Sequence, residues 1–261
     1  MTMKRAIQVF GWGAVAALFL TPWAAAQTTV TLTGPPPGYS YDGIYVSPYY
    51  ATVGGATNTP VVCDDFADES NVGSTWKATV TPFSGISSTN TSWALANGSS
   101  SIKQYDAAAA LTLQVLQQTP GTTGQIIYSF AEWAVFDPSG VASYLAGNPI
   151  TSGGLTTAAL CTDIFGSAGC KSSWVLADGG LLASGYNAIV PAGGYSNLEI
   201  ISPDNSNGSI CKAENGCAAQ EFIAVVPEGG AALAYLFLAV LCCGGAIFLR
   251  SRQQMGTMES A

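Results

Sequence analysis

Residues 43–81 read GIYVSPYYATVGGATNTPVVCDDFADESNVGSTWKATVT, and this stretch decides the fold class. Val, Thr, Tyr and Trp crowd residues 43–53, 61–63 and 76–81, and Gly, Pro and Asn punctuate the intervals between them. β-branched and aromatic runs bounded by such breakers read as short strands. A further run at 29–33 precedes them, and Pro35-Pro36-Pro37-Gly38 marks a turn. Residues 84–101 are rich in Ser, Thr and Asn and read as a surface loop.

Moving outward, the periodicity changes. Within 102–118, Tyr105, Ala109, Leu113 and Leu116 recur at helical spacing, and Pro120-Gly121 ends the run. Within 123–136, Ile127, Phe130, Ala131 and Ala134 form a second stripe, closed by Asp137-Pro138. The two helices are expected to pack as a hairpin. Strand-like runs return at 173–176, 187–190, 197–202 and 221–226. The expected architecture is α+β: a mainly β, sandwich-like domain over 27–226, with a helical insertion at about 102–165 and one C-terminal transmembrane helix.

The two ends explain that last element. Lys4 and Arg5 precede an uncharged, mostly apolar run from Ala6 to Leu20, and Pro22 breaks it. Ala24 and Ala26 then supply small residues around a leader-peptidase site, so residues 1–26 read as a signal peptide cleaved after Ala26. An uncleaved anchor is the alternative, for which the run is short. Residues 229–249 contain no charge, and at about 1.5 Å per residue a helix of that length spans a bilayer core of about 30 Å. Arg250 and Arg252 follow, which predicts a cytoplasmic tail at 253–261 and an outward-facing domain between the ends.

Composition narrows the function. Charged residues are 9% of the chain, and the net charge is −8. Between 27 and 227 the only bases are Lys77, Lys103, Lys171 and Lys212, a surface that repels phosphate backbones and argues against nucleic-acid partners. Histidine is absent, which excludes Ser-His-Asp and Cys-His catalysis and His-ligated zinc. Seven cysteines occur, and Cys242 and Cys243 lie in the apolar run. Among the others, proximity in sequence favours Cys161–Cys170 and Cys211–Cys217 as disulfides, leaving Cys63 over.

Three groups of side chains are candidates for chemistry or binding. Asp64, Asp65, Asp68 and Glu69 put four carboxylates within six residues, enough oxygen for a structural Ca²⁺ but not at EF-hand spacing. A solvated acidic turn is the plainer reading. Glu132 and Asp137 can in principle join a glycosidase-type carboxylate pair, although a helix-surface Glu and a turn Asp explain them as well. Tyr39, Tyr41, Tyr45, Tyr49 and Tyr50 cluster within twelve residues. The odd-numbered 41, 45 and 49 share one face of a strand, either a core face or a glycan-stacking strip.

Val226-Pro227-Glu228-Gly229-Gly230, an apolar run, then Arg250-Ser251-Arg252 resembles the PEP-CTERM sorting signal of exported bacterial proteins, in a variant with Gly229 at the second proline position. Cys63-Asp64-Asp65-Phe66 with Gly73…Trp76, Tyr105-Asp106-Ala107-Ala108, and Ala131 through Asp137 are also similar to segments of those proteins. The resemblance implies recognition of residues 227–252 by an exosortase-like membrane peptidase, and a cell-surface or extracellular structural or adhesive role, matrix-associated. It transfers no catalytic residue, and neither an enzyme nor a cofactor is expected. The alternatives are a surface carbohydrate-binding module, whose partner is an extracellular polysaccharide, and a His-independent carboxylate hydrolase.

Overall fold

The computed structural model describes residues 26–34, 40–41, 44–66, 70–150, 154–167, 169–173, 179–188, 194–212 and 219–225. All belong to the first of two compact units, Met1–Val225; the second, Val226–Ala261, lies wholly outside the described residues.

The chain opens with β1 (Ala26–Gly34), then a two-stranded ribbon of β2 (Ser40–Tyr41) and β3 (Ile44–Tyr45), then β4 (Tyr49–Val53), β5 (Ala56–Cys63) and β6 (Thr75–Pro82). Among the described residues, six α-helices follow before the sheet resumes. These are α1 (Ser92–Asn97), α2 (Ser100–Gln117), α3 (Thr123–Phe136), α4 (Pro138–Gly147), α5 (Thr157–Phe165) and α6 (Gly180–Tyr186). The last strands are β7 (Leu198–Pro203) and β8 (Phe222–Val225).

The sandwich expectation is wrong: the sheet is a closed antiparallel barrel in the order β1-β4-β5-β8-β7-β6. β6 pairs with β1 on one side (Val30↔Trp76) and with β7 on the other (Val80↔Ile201). β8 bridges β7 and β5 through Ile200↔Ile223 and Val62↔Ile223. Every barrel strand therefore has two neighbours, and no edge is left with unpaired backbone groups. Inward/outward alternation serves a sandwich and a barrel equally, so strand pattern alone could not separate them.

Side-chain size suits closure. Along three strands a large inward residue is followed two positions on by alanine: Tyr49 and Ala51, Trp76 and Ala78, Phe222 and Ala224, all buried. The rings of Tyr49 and Trp76 each lie about 6 Å from that of Phe222, so they fill the lumen together. The positions between these inward residues point outward. On β1 they are the exposed or half-exposed Thr29, Thr31 and Thr33, on the water side. On β5, β8, β7 and β6 they form the register ladder Val62–Ile223–Ile200–Thr81, and all four are fully buried. The helices cover that side of the barrel, which leaves β7 and β8 largely buried on both faces.

The predicted hairpin is present as α2 packed on α3. The faces differ from expectation, since Leu113, Leu116 and Ile127 are only half-buried. From Ser129 to Phe136 every residue of α3 is buried, so this part of the helix runs through the middle of the helical layer and has no wet face. Asp137 caps α4, accepting from the Gly140 amide at 2.8 Å, with Pro138 in the first turn. Gly180 begins α6 at φ +74°, where an added Cβ would lie 2.5 Å from the Gly166 nitrogen and the Ile164 carbonyl, so only glycine lets α6 start against the end of α5.

Two smaller expectations also change. The segment 84–101 is not a plain loop, because it ends in α1, whose Trp93 stacks on Phe136 at 5.2 Å. The expected strand at 187–190 begins instead as the end of α6, where the Asn187 amide donates to the Ala183 carbonyl. No helix among the described residues is long and apolar enough to cross a membrane. The transmembrane helix expected at 229–249 thus finds no counterpart in the described fold, and its residues lie outside the described ones.

Candidate functional site

β5 delivers Cys63, Asp64 and Asp65 to one mouth of the barrel, beside the start of β8 and under α2 and α3. These acids are not the solvated turn expected for them, being 0% and 1% exposed. Glu132 from α3 and Glu221 from the residue before β8 are likewise 0% exposed. The helix-surface reading of Glu132 is therefore incorrect: α3 has no solvent face there.

Glu221 is well partnered. Its Oε2 accepts from the Ser92 amide at 2.7 Å, at the start of α1, and from the Ser202 hydroxyl on β7. Its Oε1 accepts from the phenol of Tyr105 on α2. Glu132 Oε1 accepts from Thr112 at 2.8 Å. Both oxygens of Asp64 and Oε2 of Glu132 have no hydrogen-bond partner. No basic side chain is among the groups acting on Asp64, Glu132 or Glu221.

The electrostatic consequence is uniform. Burial, reinforced by the nearby Glu221, Asp65 and Glu132, holds the Asp64 carboxyl well above the usual carboxylate range. Burial does the same to Glu132, and it raises Glu221 against the pull of its Ser202, Tyr105 and Ser92 hydrogen bonds. Burial, then Asp65 and Asp64, push up the Cys63 thiol, which donates to the Asp65 carbonyl at 2.9 Å. A protonated, enclosed thiol is a poor nucleophile. Burial thus favours the protonated form of Asp64, Glu132 and Glu221, and Glu221 in addition ties barrel to helices by hydrogen bonds.

In front of this layer the mouth is open. Ile44, Tyr45 and Tyr49 come from the β3–β4 segment, Phe66, Ser70 and Asn71 from the loop after β5, Trp133 and Tyr144 from α3 and α4, and Gln220 from the approach to β8. They line a cleft of about 420 Å³, within the roughly 300–1,000 Å³ usual for small-molecule sites. Phe66 is locked between Trp133 (centroids 5.2 Å) and Tyr144 (5.7 Å). Tyr45 is 53% exposed at the rim, and its carbonyl accepts from the Tyr49 hydroxyl at 2.7 Å. Gln220 donates its side-chain amide to the Asp65 carbonyl at 2.7 Å and its backbone amide to Ser70 Oγ at 2.8 Å. Gln220 thus ties the cleft floor to the acid layer behind it.

The tyrosine strip divides. Tyr45 faces the cleft rim, Tyr49 is in the lumen, and Tyr50 is half-buried on β4. Tyr39 and the side chain of Tyr41 lie outside the described residues. Cys161 and Cys170 form a disulfide with Cα atoms 4.7 Å apart. Cys211 is also disulfide-bonded, while Cys217 lies outside the described residues. Cys63 is the free cysteine among the described residues. Of the four proposed calcium ligands, Asp68 and Glu69 lie outside the described residues, and no group of three His, Cys, Asp or Glu among the described residues is placed to hold a metal. Ala24, Pro227, Glu228, Gly229, Arg250 and Arg252 lie outside the described residues as well, and Ala26 begins β1.

Sequence reasoning missed Glu221, Ser70, Asn71, Tyr144 and Gln220. It did single out Cys63 through Phe66, Tyr105, and Glu132 with Trp133, as separate segments. The structure brings all three to one place, with Phe66 on Trp133 and Tyr105 joined to Glu221 beside them. No family model matches the chain, and neither does any curated protein or solved structure.

Proposed function

We propose that this chain is an exported surface protein that works by binding, in a structural or adhesive role, and that the barrel-mouth cleft is its contact site. The observation that carries the reading is the cleft itself: one rim aromatic, Tyr45, offered to solvent above walls already locked by Phe66, Trp133 and Tyr144. A site whose rings are fixed before contact loses little side-chain entropy on binding. The disulfides at Cys161–Cys170 and Cys211 support an oxidising compartment, in keeping with the leader-like residues 1–26. Sorting is assigned to the motif Pro227-Glu228-Gly229 with Arg250 and Arg252, read by an exosortase-like peptidase.

The hydrolase alternative loses support from the burial of Glu132, whose one bonded oxygen serves Thr112. The test is protease shaving of intact cells expressing the full chain, with sequencing of the mature N-terminus. The reading predicts a chain that starts at Gln27 and is digested from outside. A protected chain that retains Met1 would refute it.

A further inference from the structure

We infer that the barrel-mouth cleft accepts an uncharged pyranose unit of a surface polysaccharide, an assignment that rests on the binding reading above and names its ligand class. The residues that line the cleft include five aromatic rings and no charged side chain. Sugar rings present a C–H face that packs on aromatic faces, while their hydroxyls need both donors and acceptors. Ser70, Asn71 and Gln220 supply that mixed set along one wall, and Asn and Gln amides each offer a donor and an acceptor together.

The placement of Gln220 sharpens the point. One of its side-chain N–H groups is committed to the Asp65 carbonyl, and its backbone amide to Ser70. The side chain is therefore held in one orientation before any ligand arrives. Its carbonyl oxygen and second N–H remain to meet hydroxyls. Tyr45 provides the stacking face at the rim, half exposed and braced through its carbonyl by the Tyr49 hydroxyl.

Charge selects the sugar class. The chain is net −8, and the acids nearest the cleft, Asp64, Asp65, Glu132 and Glu221, sit behind it without a basic partner acting on Asp64, Glu132 or Glu221. A uronic acid or phosphorylated sugar would bring negative charge to a chain of net charge −8 and find no cation in the lining to meet it. A neutral hexose meets neither obstacle. Another groove, beside Tyr128, Asp163 and Leu181 on the helices, presents a carboxylate and only one aromatic ring and fits this ligand less well.

The test is affinity electrophoresis of the full chain through gels cast with hydroxyethylcellulose, galactomannan or dextran, with alginate as the acidic comparison. Retardation in at least one neutral gel and none in alginate is expected, weakened about tenfold or more by Tyr45→Ala. Asn71→Ala, at an exposed position, is expected to weaken retardation as well, which guards against a folding defect in either variant. Unchanged mobility in all three neutral gels, or retardation that both variants leave intact, overturns the assignment. If cells displaying the chain still adhere through Tyr45 while no neutral gel retards it, the saccharide assignment fails and the binding reading stands. If adhesion does not depend on Tyr45 either, both fail.

Discussion

The phenol of Tyr105 donates to Glu221 across 116 residues of chain, joining the second helix to the strand that closes the barrel. Tyr105 is enclosed and also accepts from the Trp93 amide at 3.3 Å, while Glu221 further accepts from Ser92 and Ser202. One carboxyl thus fastens α1, α2 and β7 to the start of β8. Glu221→Ala strands three buried donors and is expected to cost about 3 kcal/mol or more in urea unfolding. Glu221→Gln keeps an acceptor in place and is expected to cost roughly half as much. Tyr105→Phe removes one donor and leaves Glu221 its other two, for about 1–2 kcal/mol. Equal stability of all three variants and the parent would refute this role.

The acid layer sets how stability varies with pH. Asp64, Glu132 and Glu221 all have folded-state values above their unfolded ones, chiefly through burial. The folded chain therefore binds more protons than the unfolded chain once pH exceeds the ordinary carboxylate range. Stability is complete below that range and declines as pH rises toward the folded values, by up to about 1.4 kcal/mol per pH unit for each proton involved. Asp64→Asn removes one such group, and none of its oxygens has a hydrogen-bond partner to lose. The variant is expected to flatten the decline and to be more stable than the parent at pH 8. Thermal melts between pH 4 and 8 decide it, and a parent that grows more stable with rising pH would contradict the account.

The Cys161–Cys170 bridge closes a short loop at the end of α5. Chain-entropy reasoning gives a loop of that size about 2–3 kcal/mol of stabilisation. Cys161→Ser with Cys170→Ser is expected to lower the urea midpoint accordingly, and reductant is expected to lower the parent's midpoint by more than the variant's, which keeps only the Cys211 bridge to lose. An unchanged midpoint in the double variant would show that the loop is held by packing alone.

What the sequence made legible follows from how local each cue is. The helices at 123–136 and near 102–118 declare themselves through periodicity and the breakers Pro120, Gly121 and Pro138, and the structure places them within two residues of expectation. Their faces do not, because α3 is surrounded and its period reports only part of its burial. Barrel closure depends on Val30 meeting both Val53 and Trp76, which no local run encodes. Asp64 and Asp65 look like a wet turn because Asp68 and Glu69 follow closely and make an acidic cluster of the segment. What buries them is Tyr105, Glu132 and Glu221, each distant along the chain. The cleft combines Tyr45, Phe66, Trp133 and Gln220 in the same way. Of these, Tyr45, Phe66 and Trp133 stood in separate segments visible beforehand, and Gln220 in none.

The claim that most of this reading depends on is that the barrel mouth makes contact with a surface. Adhesion of intact cells displaying the full chain measures it directly, comparing the parent with Tyr45→Ala at the cleft rim and Asp163→Ala at the helical groove. The account predicts that Tyr45→Ala detaches the cells while Asp163→Ala leaves attachment at the parent's level. Attachment that survives Tyr45→Ala, or that is lost only with Asp163→Ala, would contradict it.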